Sequence, residues 1–154
     1  MSEKNNTLTA DPNLAPTVSL GLLLLRVAIG GMMLVHGLPK LMNLLSGSIE
    51  FADPLGLGPQ LSLVLAVGAE VGCSLLLIFG LFTRLATLPL IVTMTVAVLI
   101  IHADDPYSKK EMALLYLVPY LTLLFSGAGQ FSLDQLVWPR LKSLTTKKED
   151  GVDA

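Results

Sequence analysis

The sequence predicts an all-α integral membrane protein, built as a four-helix bundle with a short C-terminal interfacial helix. The 154-residue chain is 53% hydrophobic and only 14% charged, whereas soluble domains carry about 25% charged residues. Its apolar residues also fall into four segments, each close to the ~20 residues that cross a hydrocarbon core of about 30 Å. These two observations exclude an ordinary soluble domain.

The apolar segments define the predicted domain organisation. We expect a polar N-terminal tail over residues 1–17, a transmembrane domain over 18–129, an interfacial amphipathic segment over 130–145 and a polar C-terminal tail over 146–154. The predicted helices of the transmembrane domain are 18–45, 59–82, 85–103 and 112–127. Only Thr83 and Arg84 separate the second and third segments, so these two helices must form a tight antiparallel pair.

The segment over 130–145 has the pattern of a helix that lies on a membrane surface. Its leucines and valines recur at helical spacing beside Arg140 and Lys142. Trp138, the single tryptophan of the chain, suits the boundary between membrane and water. A frayed tail is the alternative interpretation.

The basic residues predict how the protein is oriented. With four spans, both termini and the Arg84 turn lie on one side, which carries Lys4, Arg84, Arg140, Lys142, Lys147 and Lys148. The opposite side carries Lys109, Lys110 and Lys40. Because cytoplasmic loops are enriched in Lys and Arg, we expect a multi-pass protein of the bacterial inner membrane with both termini in the cytoplasm.

Several classes of function are not supported by the composition. A net charge of −2 without a basic stripe gives no reason to expect nucleic-acid binding. Cys73 is the single cysteine, so neither a disulfide framework nor a multi-cysteine metal site is predicted. Two histidines without a third ligand make a poor metal site, and we predict no bound metal.

Two ionisable residues, Arg26 and Glu70, lie inside predicted spans. Each costs about 2.5–3.5 kcal/mol at the centre of a bilayer unless it has a partner or a role. Their depths, counted from Val18 and Phe82 at 1.5 Å per residue, agree to about one helical turn. We therefore predict a buried Arg26–Glu70 ion pair, which either fixes helix register or serves a ligand or a proton.

Glycines predict a close contact between the first two helices. Gly30 and Gly37 share a helix face with Arg26, and Gly68 and Gly72 form a G-x-x-x-G motif in the second helix. Small residues let membrane helices approach closely. We expect these two faces to meet.

A second polar group is predicted near the opposite membrane face. His36 and Lys40 end the first helix, His102 ends the third, and Tyr116 enters from the fourth. Imidazole and phenol groups at one level could bind a quinol head group or move its protons. Alternatively, Lys40 extends to water, His36 caps a helix end and His102 lies in the loop. The candidate cofactor-binding residues are therefore Arg26, His36, Lys40, Glu70, His102 and Tyr116.

The order of these residues resembles the DoxX family of small four-helix membrane proteins. The similar motifs are Arg26-x3-Gly30-x5-His36-Gly37-x2-Lys40, Glu70-x-Gly72, Gly80-Leu-Phe-Thr-Arg84 and Gly127-Ala-Gly129-x-x-Ser132-Leu-Asp134. The resemblance covers about Leu20 to Asp134. It implies a four-helix membrane fold and an association with quinone-linked oxidoreductases, such as the thiosulfate:quinone type, or with membrane complexes that handle thiol and oxidative stress.

Three functions remain open from the sequence. The leading one is a subunit or partner of a quinone-linked membrane oxidoreductase, with a quinone as the expected cofactor. Because no haem, iron–sulfur or nucleotide motif is present, whether the chain is itself an enzyme stays open. The alternatives are a non-enzymatic membrane scaffold and a small transporter or channel. The expected partners are the lipid bilayer and either an oxidoreductase subunit or further copies of this chain.

Overall fold

The computed structural model describes residues 14–137. Over this range the chain is helical and contains no strand. Its helices are α1 (Leu14–Leu45), α2 (Pro59–Phe79), α3 (Thr83–Ile101) and α4 (Tyr107–Ser126). The first three are long and apolar enough to cross a membrane. Half of the predicted interfacial segment, residues 138–145 including Trp138, lies outside the described residues, which end in a helical turn over 134–137.

Proline and glycine mark where helices begin. Gly58, with φ of 92°, precedes α2, and Pro59 occupies its first turn, where a missing N–H costs nothing. Pro106, with ψ of 157°, precedes α4. This helix begins at Tyr107, five residues before its predicted start at residue 112. Lys109, Lys110 and Glu111 are charged and therefore lie outside the apolar segment, but Lys and Glu are good helix formers.

The turn between α2 and α3 closes with a glycine in the left-handed region. Gly80 has φ of 68°. Its N–H donates to the Leu77 carbonyl at 3.0 Å, and the Leu81 N–H donates to the Leu76 carbonyl at 2.9 Å. This pair of hydrogen bonds is the Schellman motif. A Cβ at Gly80 would collide with the guanidinium of Arg26, so the position needs glycine for space as well as for backbone conformation.

The four helices form a ring in which α1 packs on α2 and α3 packs on α4. The second half of α2 also packs on α3. Large apolar side chains are exposed on every helix, for example Val35, Leu85, Leu99, Val118 and Phe125. An exposed apolar surface of this extent is what a bilayer covers. The "turn end" below is the end of the bundle with the α2–α3 turn, and the "loop end" carries residues 46–58.

The predicted contact between the first two helices is confirmed, but only through the glycines of α1. A Cβ at Gly30 would lie 2.8 Å from Ile78, and one at Gly37 would lie 2.9 Å from the Glu70 Cβ. A Cβ at Gly68 or Gly72 would meet nothing within 4 Å. The prediction that the G-x-x-x-G motif faces α1 is therefore wrong. The motif lies in a π-helical segment, Gly68–Cys73, whose wider turns change which residues face a neighbour.

Candidate functional site

A cavity of about 750 Å³ lies between the four helices and the loop over 46–58. Its volume is in the range of small-molecule sites, about 300–1,000 Å³. Five of the six candidate residues line it, namely His36, Lys40, Glu70, His102 and Tyr116. Arg26 is not among the lining residues. The packing of the four helices therefore brings these five side chains, which are far apart in the sequence, to one cavity.

Glu70 and Lys40 form an ion pair at the polar part of the cavity. The Lys40 ammonium donates to Glu70 Oε1. Glu70 is 1% exposed, and within residues 14–137 its other oxygen, Oε2, has no hydrogen-bond partner. An unsatisfied buried acceptor costs about 1–3 kcal/mol, and more when it is charged. Glu70 is thus a lining residue of the cavity whose carboxylate keeps one unused hydrogen-bond acceptor among the described residues.

The predicted Arg26–Glu70 ion pair is wrong. Arg26 is fully buried, but its Nη2 donates to the Phe131 carbonyl at 2.5 Å and its Nη1 to the Leu77 carbonyl at 3.5 Å. Leu77 lies seven residues beyond Glu70, which is about 10 Å along α2. The reason is that α1 extends past the α2–α3 turn. Val18 and Phe82 therefore lie at different depths, and the depths of Arg26 and Glu70 counted from them cannot be compared directly.

Arg26 stabilises the chain segment that follows α4. This segment crosses the turn end and lies against the first turns of α1, where the Gln130 N–H donates to Ser19 Oγ at 3.1 Å. The Arg26–Phe131 hydrogen bond holds the same segment about two turns further along α1. The Asp134 N–H then donates to the Gly80 carbonyl at 2.9 Å. Arg26 is therefore a structural residue of the turn end and is remote from the cavity.

Asp134 caps the start of α3. Its carboxylate accepts hydrogen bonds from the Phe82 N–H at 2.7 Å and the Thr83 N–H at 3.1 Å. A carboxylate at a helix N-terminus satisfies free N–H groups and opposes the helix dipole. Phe82 has φ of 48°, the left-handed region, and Asp134 holds it there.

Arg84 plays the matching role at the end of α4. Its Nη2 donates to the Phe125 carbonyl at 3.1 Å, one of the carbonyls that a helix leaves without an internal partner. The Ser132 hydroxyl donates to the Gly129 carbonyl at 2.8 Å and stabilises the following turn. Both side chains belong to the turn end and not to the cavity.

A row of aromatic rings runs from the cavity into the core. His36 meets Tyr116 edge to face with ring centres 5.8 Å apart, and Tyr116 stacks on Tyr120 at 6.0 Å. His36 is exposed, whereas Tyr120 is completely buried. Within the described chain the Tyr120 hydroxyl has no hydrogen-bond partner. The row therefore leads from an imidazole and a phenol that line the cavity to a second phenol buried in the core.

His102 stands where α3 ends and lines the cavity from the loop end. Its Nδ1 lies 2.7 Å from Asp105 Oδ2. This hydrogen bond is the main reason that the pKa of Asp105 lies below the usual value for an aspartate. The contact fixes the ring of His102 at the rim of the cavity.

Asp53 was missed by the sequence reasoning, although it holds the loop over the cavity. Its carboxylate accepts hydrogen bonds from the N–H groups of Leu57 at 2.9 Å and Gly58 at 2.8 Å, and from Ser62 Oγ at 2.8 Å. The Ser62 hydroxyl is the main cause that lowers the pKa of Asp53. The available signal was an acidic residue just before a Gly-Pro helix start. The same loop places the Phe51 ring 5.7 Å from Lys40 Nζ.

The chemistry of the cavity is that of a binding site for an amphiphile. Ammonium, carboxylate, imidazole and phenol groups lie in one part, and leucine, valine, methionine and alanine side chains form most of the rest. No three His, Cys, Asp or Glu side chains come together within residues 14–137. Cys73 is a half-buried free thiol and does not line the cavity.

Comparison with known proteins identifies relatives of this chain. A Haemophilus influenzae protein of uncharacterized function is 38% identical over 93 residues, which are 57% of this chain and 62% of that relative. A Bacillus subtilis protein with the name "Putative oxidoreductase CatD" is 30% identical over 80% of this chain and 92% of its own length. "Inner membrane protein YphA" of Escherichia coli is 35% identical over 74% of this chain and 88% of its own length.

No solved structure matches the chain. The family model DoxX matches residues 21–103, which include all of α2 and α3 and the part of α1 from Gly21 onward. On this match, which covers more than half of the sequence, the chain belongs to the DoxX family.

Proposed function

We propose that the cavity binds the ring of a membrane quinone or quinol, and that the protein is a subunit or partner of a quinone-linked membrane oxidoreductase system. The observation that carries this proposal is the Lys40–Glu70 ion pair in the wall of a mostly apolar cavity, with Glu70 buried and its Oε2 without a hydrogen-bond partner among residues 14–137. A quinone offers carbonyl acceptors on an apolar ring, and a quinol offers hydroxyl donors. Glu70 and Lys40 together provide a partner for either form.

The surrounding groups support the same ligand chemistry. The Tyr116 ring lines the cavity next to His36, and aromatic side chains pack favourably on a planar ring. A quinol hydroxyl would donate to the Glu70 carboxylate, and a quinone carbonyl would accept from Lys40. The name of the Bacillus subtilis relative supports a link to redox chemistry. Because the chain has no electron-carrier motif, we assign the electron transfer to a partner.

The membrane arrangement is part of this proposal. We infer that α4 is a fourth span, since its 20 residues reach about 30 Å and Leu115, Val118 and Phe125 are exposed along it. The lysines of its first turns can extend to the membrane surface. We place the protein in the inner membrane, as the name of the Escherichia coli relative supports, with both termini in the cytoplasm and residues 130–145 on the membrane surface.

Labelling of single cysteines tests this topology. In a Cys73→Ser background, Ser2→Cys, Ser108→Cys and Ser143→Cys place a thiol at the N-terminus, at the start of α4 and after α4. With four spans, a membrane-impermeant maleimide added to intact cells labels Ser108→Cys and spares Ser2→Cys and Ser143→Cys, whereas with three spans it would label Ser143→Cys as well. Labelling of Ser2→Cys or Ser143→Cys together with Ser108→Cys from the same side would contradict the arrangement.

Ligand titration tests the binding proposal. Purified protein is titrated with ubiquinone and menaquinone analogues while its thermal unfolding is followed. We expect saturable stabilisation that Glu70→Gln reduces by at least tenfold in affinity. Glu111→Gln makes the same chemical change at an exposed position of α4 outside the cavity and should leave binding unchanged. No stabilisation by any quinone would favour the scaffold, and uptake into proteoliposomes would favour the transporter.

A further inference from the structure

The wall of the cavity between α2 and α3 carries exposed apolar residues. Three residues that line it are also strongly exposed: Leu65 is 52% exposed, Leu88 46% and Val92 58%. Residues that line a cavity and also face outward lie at an opening. All three are apolar, and each lies several residues inside its helix, so the opening faces the side of the bundle.

Divergence of the two helices produces this opening. The π-helical segment Gly68–Cys73 and the following Ser74–Phe79 pack against α3. The first half of α2, Pro59–Val67, packs mainly against α1 instead. The two helices are therefore in contact near the turn end and separate toward the loop end. The π-helical segment lies at the point where they part.

The wall that α3 contributes to the opening is mostly apolar over a long distance. The lining residues of α3 run from Leu88 to Ile101, with Thr93 as the one polar side chain among them, which is about 20 Å at 1.5 Å per residue. The polar groups Glu70 and Lys40 lie on the other side of the cavity, on α2 and α1. A ligand that fits both parts has a small polar ring and a long apolar chain.

The loop end offers a less suitable entrance for such a ligand. Phe51, Leu55 and Leu57 of the loop line the cavity there, and Asp53 fixes the loop through hydrogen bonds to its own backbone and to Ser62. A lipid-soluble molecule would have to leave the bilayer to enter at this end. The side opening faces the acyl chains directly.

We propose that the gap between Pro59–Val67 and α3 is a lateral opening to the bilayer, and that it holds the apolar chain of the ligand while the ring lies at Glu70 and Lys40. The inference rests on the proposed quinone function and adds the route of entry and a subsite for the chain. The ligand is therefore a quinone with a long prenyl chain that enters from the membrane. A short, water-soluble quinone would use only the ring part of the site.

Tryptophan substitutions at the opening test this proposal. Val92→Trp places a bulky ring in the gap, and Leu65→Trp does so from the opposite wall in case the first variant does not fold. Leu85→Trp is the matched control, because Leu85 is 65% exposed on the same helix and does not line the cavity. Dissociation constants are measured in lipid nanodiscs for a prenylated quinone and for the same ring without a chain.

We expect Val92→Trp to weaken binding of the prenylated quinone by at least tenfold, to leave the ring alone within twofold, and Leu85→Trp to change neither. Equal binding of the prenylated quinone by Val92→Trp, Leu65→Trp and wild type would overturn the lateral opening while leaving the ring site intact. An equal loss for both ligands would also overturn it, because the gap would then belong to the ring site. Wild-type protein that binds neither ligand would reject the quinone function itself.

Discussion

Lys40 of α1 forms an ion pair with Glu70, which lies inside the π-helical segment of α2. The pair is possible because Gly37, one turn before Lys40, brings the α1 backbone against the Cβ of Glu70. Only one carboxylate oxygen of Glu70 is used, and the other remains without a partner in the described chain. Lys40 thus balances the negative charge of Glu70, and the Glu70 carboxylate can still accept one further hydrogen bond.

The ion pair predicts a specific pattern of stability. Lys40→Ala leaves a buried carboxylate without its cation, which we expect to lower the free energy of unfolding by about 1–3 kcal/mol. The double change Lys40→Ala/Glu70→Ala removes the uncompensated charge and should recover part of this loss. Thermal unfolding in detergent measures both. A double variant that is as unstable as the sum of the two single variants would argue against the pair.

Arg26 should behave independently of Glu70. Arg26→Ala removes the hydrogen bonds to the Phe131 and Leu77 carbonyls, and we expect a loss of about 1–3 kcal/mol. Because the two side chains share no partner, the Arg26→Ala/Glu70→Ala double variant should be additive to within about 0.5 kcal/mol. Thermal unfolding of the three variants gives the coupling energy. A coupling well above that value would restore the ion pair that the sequence alone suggested.

The glycines of α1 and α2 should respond in opposite ways to alanine. Gly37→Ala places a Cβ 3.0 Å from the Glu70 backbone, which cannot move easily, and should cost about 1–3 kcal/mol. Gly72→Ala has open space and should be neutral or stabilise the helix by up to about 1 kcal/mol. The melting temperatures of the two variants decide the matter. Equal destabilisation by both would mean that α2 turns its G-x-x-x-G face to α1 after all.

The loop over the cavity should depend on the charge of Asp53. Its pKa is lowered in the folded protein, mainly by Ser62, so its contribution to stability is complete above the ordinary aspartate pKa of 3.8. It is lost as the pH falls through the lowered value. Hydrogen exchange at the Leu57 and Gly58 amides, corrected for the intrinsic rate, should therefore be constant from neutral pH down to about pH 4.

Asp53→Asn should raise this exchange already at neutral pH, because an amide oxygen is a weaker acceptor than a carboxylate. Glu50→Gln is the control, since Glu50 is an exposed residue of the same loop. If Asp53→Asn and Glu50→Gln exchange alike, the carboxylate does not hold the loop.

Hydrophobicity and length were sufficient to predict an all-helical chain with membrane-spanning segments, because the bilayer thickness determines how many apolar residues a span needs. Counting residues along the predicted spans placed His36, Lys40, His102 and Tyr116 at a shared polar level. These four side chains do line one cavity. Antiparallel helices with short connections bring such ends together. This part of the candidate site was therefore accessible from spacing alone.

The pairing of Arg26 was not accessible in the same way. Depth arithmetic assumes that neighbouring helices begin at one level, whereas α1 continues past the α2–α3 turn and is covered there by the segment containing Phe131. The orientation of Glu70 depends on the π-helical segment Gly68–Cys73. A helical wheel drawn for a regular α-helix does not predict such a segment. The capping role of Asp134 also depends on backbone amides that are far away in the sequence, those of Phe82 and Thr83.

The quinone content of the purified protein tests the central claim most directly. Wild type, Glu70→Gln and Glu111→Gln are purified in parallel in a mild detergent and extracted with organic solvent, and the quinone per protein is measured by chromatography. We expect quinone to accompany wild type and Glu111→Gln and to be depleted at least tenfold in Glu70→Gln. Equal amounts of quinone in all three preparations, at the level of the residual lipid, would contradict a binding site at Glu70.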